Sequence, residues 1–172
     1  MMNLMIKNLH ATYKVLLAAF FVLGFATASL AEDKVRTENV SDHNLALKGY
    51  DAVAYFDQGA PTAGKARFNY VHNGTEYRFG TATNRDKFTK NPGKYEPQYG
   101  GFCAFGASVG LKLEVDPESF EIVDGKLYLN NAPQIHTMWL EDPKGRIKAA
   151  NKNWKKIRNV SAKKLKPLQY EG

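Results

Sequence analysis

The 172-residue chain holds one cysteine, Cys103, and four histidines, of which His43, His72 and His136 lie outside the amino-terminal segment. A thiolate can act as a nucleophile, a redox centre or a ligand for soft metals. Cys103 follows Tyr99-Gly100-Gly101 and precedes Ala104-Phe105-Gly106-Ala107-Ser108, which predicts a sulfur in the first turn of a short helix entered through a diglycine. Unpaired amide N–H groups at such a turn favour thiolate over thiol. The flanking Phe102 and Phe105 point the other way, because free cysteine is among the most buried residue types. The residues leave two readings of Cys103, a reactive thiol or a structural one.

A metal reading takes Cys103, His72 and His136 as ligands, a soft set suited to copper or zinc rather than magnesium or calcium. Spacing adds nothing to it, since the three histidines are 29 and 64 residues apart and no His-x-x-x-His or Cys-x-x-Cys occurs. His72 beside a turn also reads as a solvated turn residue, and His136 as a helix-surface residue. His43 lies in a polar stretch, and Met138 offers a thioether. The chain has no Gly-rich phosphate loop, no Gly-x-Ser-x-Gly elbow and no His-Glu-x-x-His, so no catalytic residue is assigned. A Cys103–His72 pair would make a thiol site only if the fold joined them. Asp51, Glu114, Asp116 and Glu118 fall among expected turns and read as solvated loop charges.

These side chains must be positioned by a small fold. Asp51 to Asp57 has strand propensity. Ala66 to Val71 and Thr75 to Phe79 flank His72-Asn73-Gly74, and Asn-Gly between alternating hydrophobics predicts a hairpin. Thr81 or Thr83 caps a short helix running to Lys90, stopped by Asn91-Pro92. A second hairpin, Phe120 to Val123 and Leu127 to Asn130, turns at Asp124-Gly125. Two helices follow, Pro133 to Leu140 and one opened by Asp142-Pro143, with Ile147, Ala150, Trp154 and Ile157 at helical spacing. The expectation is an α+β domain, a small antiparallel sheet of hairpins with several short helices packed on it, and no internal repeat.

The amino end carries basic Lys7 and Lys14, the apolar run from Val15 to Phe25, and Ser29-Leu30-Ala31 before Glu32. That is the layout of a cleavable signal peptide, and the apolar run of about 11 residues is short for a membrane span, which needs about 20. The expected organisation is a signal peptide over 1–31, a flexible lead-in over 32–44, one domain over 45–158 and a basic tail over 159–172. Export to the periplasm or beyond follows, with no integral membrane segment after cleavage. An oxidising compartment makes a lone cysteine conspicuous, because it has no internal disulfide partner.

Charge is uneven. Residues 144–172 hold ten Lys or Arg against the single acid Glu171, whereas residues 32–143 hold 12 basic and 16 acidic residues. Lys144, Lys148, Lys152, Lys155, Lys156, Lys163 and Lys164 therefore suit an anionic surface or an acidic protein, or form a solvated helix face. No nucleic-acid motif accompanies them.

The segments Lys48-Gly-Tyr-Asp-Ala-Val-Ala-Tyr-Phe56, His72-Asn-Gly-Thr-Glu-Tyr-Arg-Phe79, Asn84-Arg-Asp-Lys-Phe88 and Asn91-Pro-Gly-Lys-Tyr95 resemble the YHS domain. With Tyr99-Gly-Gly-Phe-Cys-Ala104, Asp124-Gly-Lys-Leu-Tyr-Leu-Asn130, Trp139 and Asn153-Trp154, the chain looks most like the exported YHS-domain (seleno)proteins over about Leu45 to Trp154. The resemblance implies a soft-metal module whose family cysteines correspond to Ala54, Gly80 and Asn84 here. None of these supplies a thiolate. It also implies that selenocysteine in related proteins stands at the position of Cys103, which suits redox or soft-metal chemistry.

Overall fold

The structure is a computed structural model that describes residues 35–41 and 43–166. The signal-peptide expectation over 1–31, the start of the lead-in and the last residues of the basic tail lie outside the described residues. Mixed α+β architecture is present, with the strands in two separate antiparallel hairpins rather than one sheet.

The first hairpin pairs β1 (Lys65–His72) with β2 (Thr75–Phe79), and the second pairs β3 (Asp116–Val123) with β4 (Lys126–Asn130). Each turns on two residues at positive φ, Asn73 (51°) with Gly74 (81°) and Asp124 (50°) with Gly125 (69°). That is the twist a two-residue hairpin requires, and Asn-Gly and Asp-Gly are the residues that reach it at least cost.

Six α-helices are described: α1 (Ala54–Asp57), α2 (Ala82–Lys90), α3 (Pro92–Tyr95), α4 (Ala104–Ser108), α5 (Pro133–Leu140) and α6 (Pro143–Ile157). Thr81 caps α2 by accepting from Asn84 N at 3.1 Å, and Asp142 caps α6 by accepting from Gly145 N at 2.9 Å. No helix among the described residues is long and apolar enough to cross a membrane.

The strand expected over Asp51 to Asp57 is not formed. The segment turns at Asp51 and enters α1, burying Ala52, Val53, Ala54 and Tyr55 on every side. A short apolar run does not distinguish a buried strand from a buried helical turn, and the Asp51 side chain decides it here by accepting from Val53 N at 2.9 Å and Ala54 N at 3.2 Å.

The order α1, β1, β2, α2 recurs as α4, β3, β4, α5, so the fold contains the repeat that the sequence hides. Asn73-Gly74 and Asp124-Gly125, Phe88 and Trp139, and Asn91-Pro92 and Asp142-Pro143 are each 51 positions apart. Phe88 and Trp139 are both fully buried, each at the centre of its own aromatic group. Phe88 meets Tyr77 at 4.6 Å and Phe79 at 5.2 Å between ring centres, and Trp139 meets Tyr128 at 5.6 Å. Two cores result. One gathers Leu47, Val53, Tyr55, Phe79, Phe88, Cys103, Leu127 and Leu129, the other Tyr99, Ala104, Ala107, Tyr128, Trp139 and Ala150. Phe105, partly buried, packs against both.

Part of the expected lead-in is tied to the domain. Asn39 N donates to Gly100 O at 2.7 Å, Asn39 Nδ2 donates to Gly101 O at 3.1 Å, and Thr75 hydrogen-bonds Glu38. The strap crosses the diglycine so closely that a Cβ at Gly100, whose φ is +60°, would collide with the Thr37 carbonyl. Buried Lys112 fastens the strap from below, donating to Arg36 O at 2.6 Å, Arg158 O at 2.6 Å and Val160 O at 2.9 Å. Its ammonium has three donors and three carbonyl acceptors, and it lies near the negative end of the α6 dipole. Burial lowers its pKa from the usual lysine value.

Replacing Lys112 by Met keeps the aliphatic stem but leaves these carbonyls without their donor. We expect a loss of about 3 kcal/mol, read as a lower urea midpoint. Faster proteolysis within residues 35–41 should accompany it.

Candidate functional site

Cys103 is fully buried and free, at the N-cap of α4. Its Sγ accepts from Gly106 N at 3.3 Å, and the backbone amides of Asn131 and Phe105 also favour the charged sulfur. Two carboxamides complete the surroundings, with Asn130 Oδ1 3.8 Å and Asn131 Oδ1 4.0 Å from Sγ. Asn130 is fully buried; its Oδ1 accepts from Phe105 N at 3.2 Å, while its Nδ2 has no hydrogen-bond partner among the described residues. Although Phe105 lines one side, the sulfur sits in a polar nest. Burial pushes the Cys103 thiol above its usual value, against the opposing pull of the Gly106, Asn131 and Phe105 amides. The resting group is the thiol.

The matching position in the first repeat is occupied by Asp51, which is not a solvated loop charge but fully buried. Its Oδ1 accepts from Val53 N and Ala54 N, and its Oδ2 accepts from Gly80 N at 2.8 Å and Asn84 Nδ2 at 2.7 Å. Asp51 thus accepts from its own short helix and from the residue just past β2. Cys103 does the same with α4 and with Asn131, the residue just past β4. The fold builds one polar cup twice, with four donors on a carboxylate in the first and one amide donor and two carboxamide oxygens around sulfur in the second.

Ala54, Gly80 and Asn84, the positions assigned by resemblance to family cysteines, come together around Asp51. A buried hydrogen-bonded carboxylate occupies that centre. The proposed ligands of the second kind are dispersed. His72 ends β1, with Nε2 3.4 Å from Glu96 Oε1 and 3.0 Å from Asn73 Nδ2. His136 lies on α5, with Nε2 3.6 Å from Glu121 Oε2 and its ring 6.5 Å from Trp139. His43 is exposed, and Met138 is 42% exposed. Among the described residues, no three His, Cys, Asp or Glu side chains gather as a metal-holding group, so Cys103, His72 and His136 do not form one.

Sequence reasoning placed Cys103 at the start of a short helix, and the helix is there. It missed Asp51, Asn130 and Asn131. The paired turns and the two proline-led helices 51 positions apart are the signal that reveals them, because they align Gly80 with Asn131.

Asp51→Ala would leave the donors of Val53, Gly80 and Asn84 unpaired, Ala54 N keeping the backbone carbonyl of residue 51, and the loss expected is about 4 kcal/mol, measured by urea unfolding. For Cys103 the sign of the linkage is definite. A thiol whose pKa is higher folded than unfolded stabilises the fold fully below about pH 8.5, and that contribution disappears as the pH climbs toward the folded value. Wild type should therefore lose stability relative to Cys103→Ala above about pH 8.5, at up to about 1.4 kcal/mol per pH unit, the difference between the two cancelling the titration of Lys112, which both share. Tyr55, Tyr77 and Tyr99, which burial also raises, begin to cost stability only from the unfolded tyrosine value of about 10, so the thiol is read between about pH 8.5 and 10.

No family model, no curated protein and no solved structure matches the chain.

Proposed function

We propose that this chain is an exported YHS-type module whose working group is the Cys103 thiol, used in redox chemistry rather than as part of a copper or zinc site. The observation that carries the reading is the duplicated cup. In one copy three backbone amides and the Asn84 carboxamide donate to Asp51, and in the other Gly106 N donates to Cys103 Sγ while the Asn130 and Asn131 carboxamide oxygens face the sulfur. An inert apolar thiol needs no polar lining, yet Cys103 has one, and Asn130 beside it carries a buried Nδ2 without a hydrogen-bond partner among the described residues. Convergence of Ala54, Gly80 and Asn84 on one point supports the family reading. The dispersal of Cys103, His72 and His136, with no metal-holding group of three among the described residues, disfavours the metal branch.

The chemistry is that of a guarded single thiol meeting a hydroperoxide. Once deprotonated, Cys103 Sγ attacks one peroxide oxygen; the S–O bond forms as the O–O bond breaks. The leaving hydroxide takes up the proton released by the thiol, so water departs and sulfur becomes a sulfenic acid, oxidised by two electrons. With one cysteine in the chain, return to the thiol requires two equivalents of an external thiol: the first condenses with the sulfenic acid to a mixed disulfide and releases water, and the second attacks the external sulfur, releasing Cys103 as the thiol and leaving the external disulfide.

Treating the folded chain with hydrogen peroxide and then dimedone should give one adduct at Cys103, absent in Cys103→Ser. The rate should rise with pH through the thiol's titration. Trapping only under denaturing urea would make Cys103 a structural core residue and overturn the reading.

A further inference from the structure

The lysines of α6 occupy one side of the helix. Lys144, Lys148, Lys152, Lys155 and Lys156 are all exposed, while Ala150, Asn153 and Ile157 on the opposite side are buried. At helical spacing the five ammonium groups form a row about 18 Å long. None of the five has an ion-pair partner among the described residues, and residues 144–166 contain no acid at all. Five unpaired lysines kept together on one face, on a domain that is net acidic over residues 32–143, cost self-repulsion.

From this we infer that the exposed face of α6 is a docking surface for an anionic phospholipid bilayer. Its composition selects this partner. A protein partner held tightly needs a buried aromatic or apolar anchor, and the exposed large hydrophobic residues, Val35, Tyr70, Val71, Met138 and Leu140, all lie off α6. Lysine is a compact point charge without the planar fork that reads a fixed phosphate or carboxylate geometry. A row of such charges is satisfied by headgroups that diffuse laterally to meet it, with each lysine near the surface strengthening binding roughly fivefold. Because α6 packs along the domain by its buried side, all five lysines can face one plane at once.

Flotation of the full chain with vesicles tests this. Phosphatidylcholine vesicles measure any contribution of the apolar Val15 to Phe25 segment, and vesicles mixed with phosphatidylglycerol add the anionic headgroup. The expected result is stronger binding to the anionic vesicles, abolished near 0.5 M salt, roughly where the Debye length falls below 5 Å. The triple variant Lys148→Gln, Lys152→Gln, Lys155→Gln should reduce the anionic excess about 100-fold while keeping the wild-type unfolding midpoint. Equal binding to both vesicle types, or an anionic excess untouched by the triple substitution, overturns the inference. Tighter binding to duplex DNA or to an acidic polypeptide than to the anionic vesicles at the same salt overturns the choice of lipid.

Discussion

The buried carboxylate of Asp51 is the constraint on which the first half of the fold depends. A carboxylate taken out of water is tolerable only where its lone pairs are met by donors, and Asp51 meets four, from Val53, Ala54, Gly80 and Asn84. Those donors belong to α1, to the end of β2 and to the first turn of α2. One side chain thereby sets where the chain leaves its lead-in, why α1 is a helical turn, and how the first hairpin meets the helix that follows it. Phe88 can then sit among Tyr77, Phe79 and Tyr95, because the helix that carries it is anchored at its first turn.

The second half solves the same geometric problem with sulfur. A thiol accepts hydrogen bonds weakly, so the Cys103 cup holds its occupant less firmly than the Asp51 cup does. Two Asn side chains make up part of the difference, with Asn130 Oδ1 engaging Phe105 N and lying against the sulfur. If structure alone were served, a second aspartate or an apolar residue would do better. Keeping a titratable sulfur among oriented amides sacrifices stability for a group that can change its charge and oxidation state.

What the sequence made legible was local. Asn73-Gly74, Asp124-Gly125, Thr81, Asn91-Pro92 and Asp142-Pro143 each act through their own backbone, and each turn, cap or stop stands where its residues require it. The segment from Asp51 to Asp57 was not legible, because strand and buried helical turn share one apolar pattern and the deciding partner, Gly80, lies 29 positions away. Asp51 itself was read as a loop charge for the same reason, since burial of an acid depends on donors that only the fold assembles. The site was half legible: position and residue type marked Cys103, but its neighbours Asn130 and Asn131 arrive from another hairpin. His72 and His136 are attractive as ligands only by residue type, and the fold places them on separate elements, β1 and α5, where they form no metal-holding group with Cys103.

The diglycine before Cys103 links the sulfur to the amino-terminal strap. Tyr99, Gly100 and Gly101 all adopt positive φ, and Gly100 leaves room for the Thr37 carbonyl that a side chain would displace. Asn39 bonds both glycine carbonyls' residues, and Lys112 binds Arg36 on one side while its ammonium lies 5.4 Å from the Phe102 ring, next to Cys103. Strap, diglycine, Phe102 and Cys103 are therefore mechanically continuous. Burial is what raises the thiol's pKa, and it comes from the core that Cys103 shares with Val53, Tyr55, Leu127 and Leu129. Water reaching the sulfur through an opening of that core would ease its desolvation while the Gly106 amide of its own helical turn stays in place, and the balance between thiol and thiolate would shift toward the charged form.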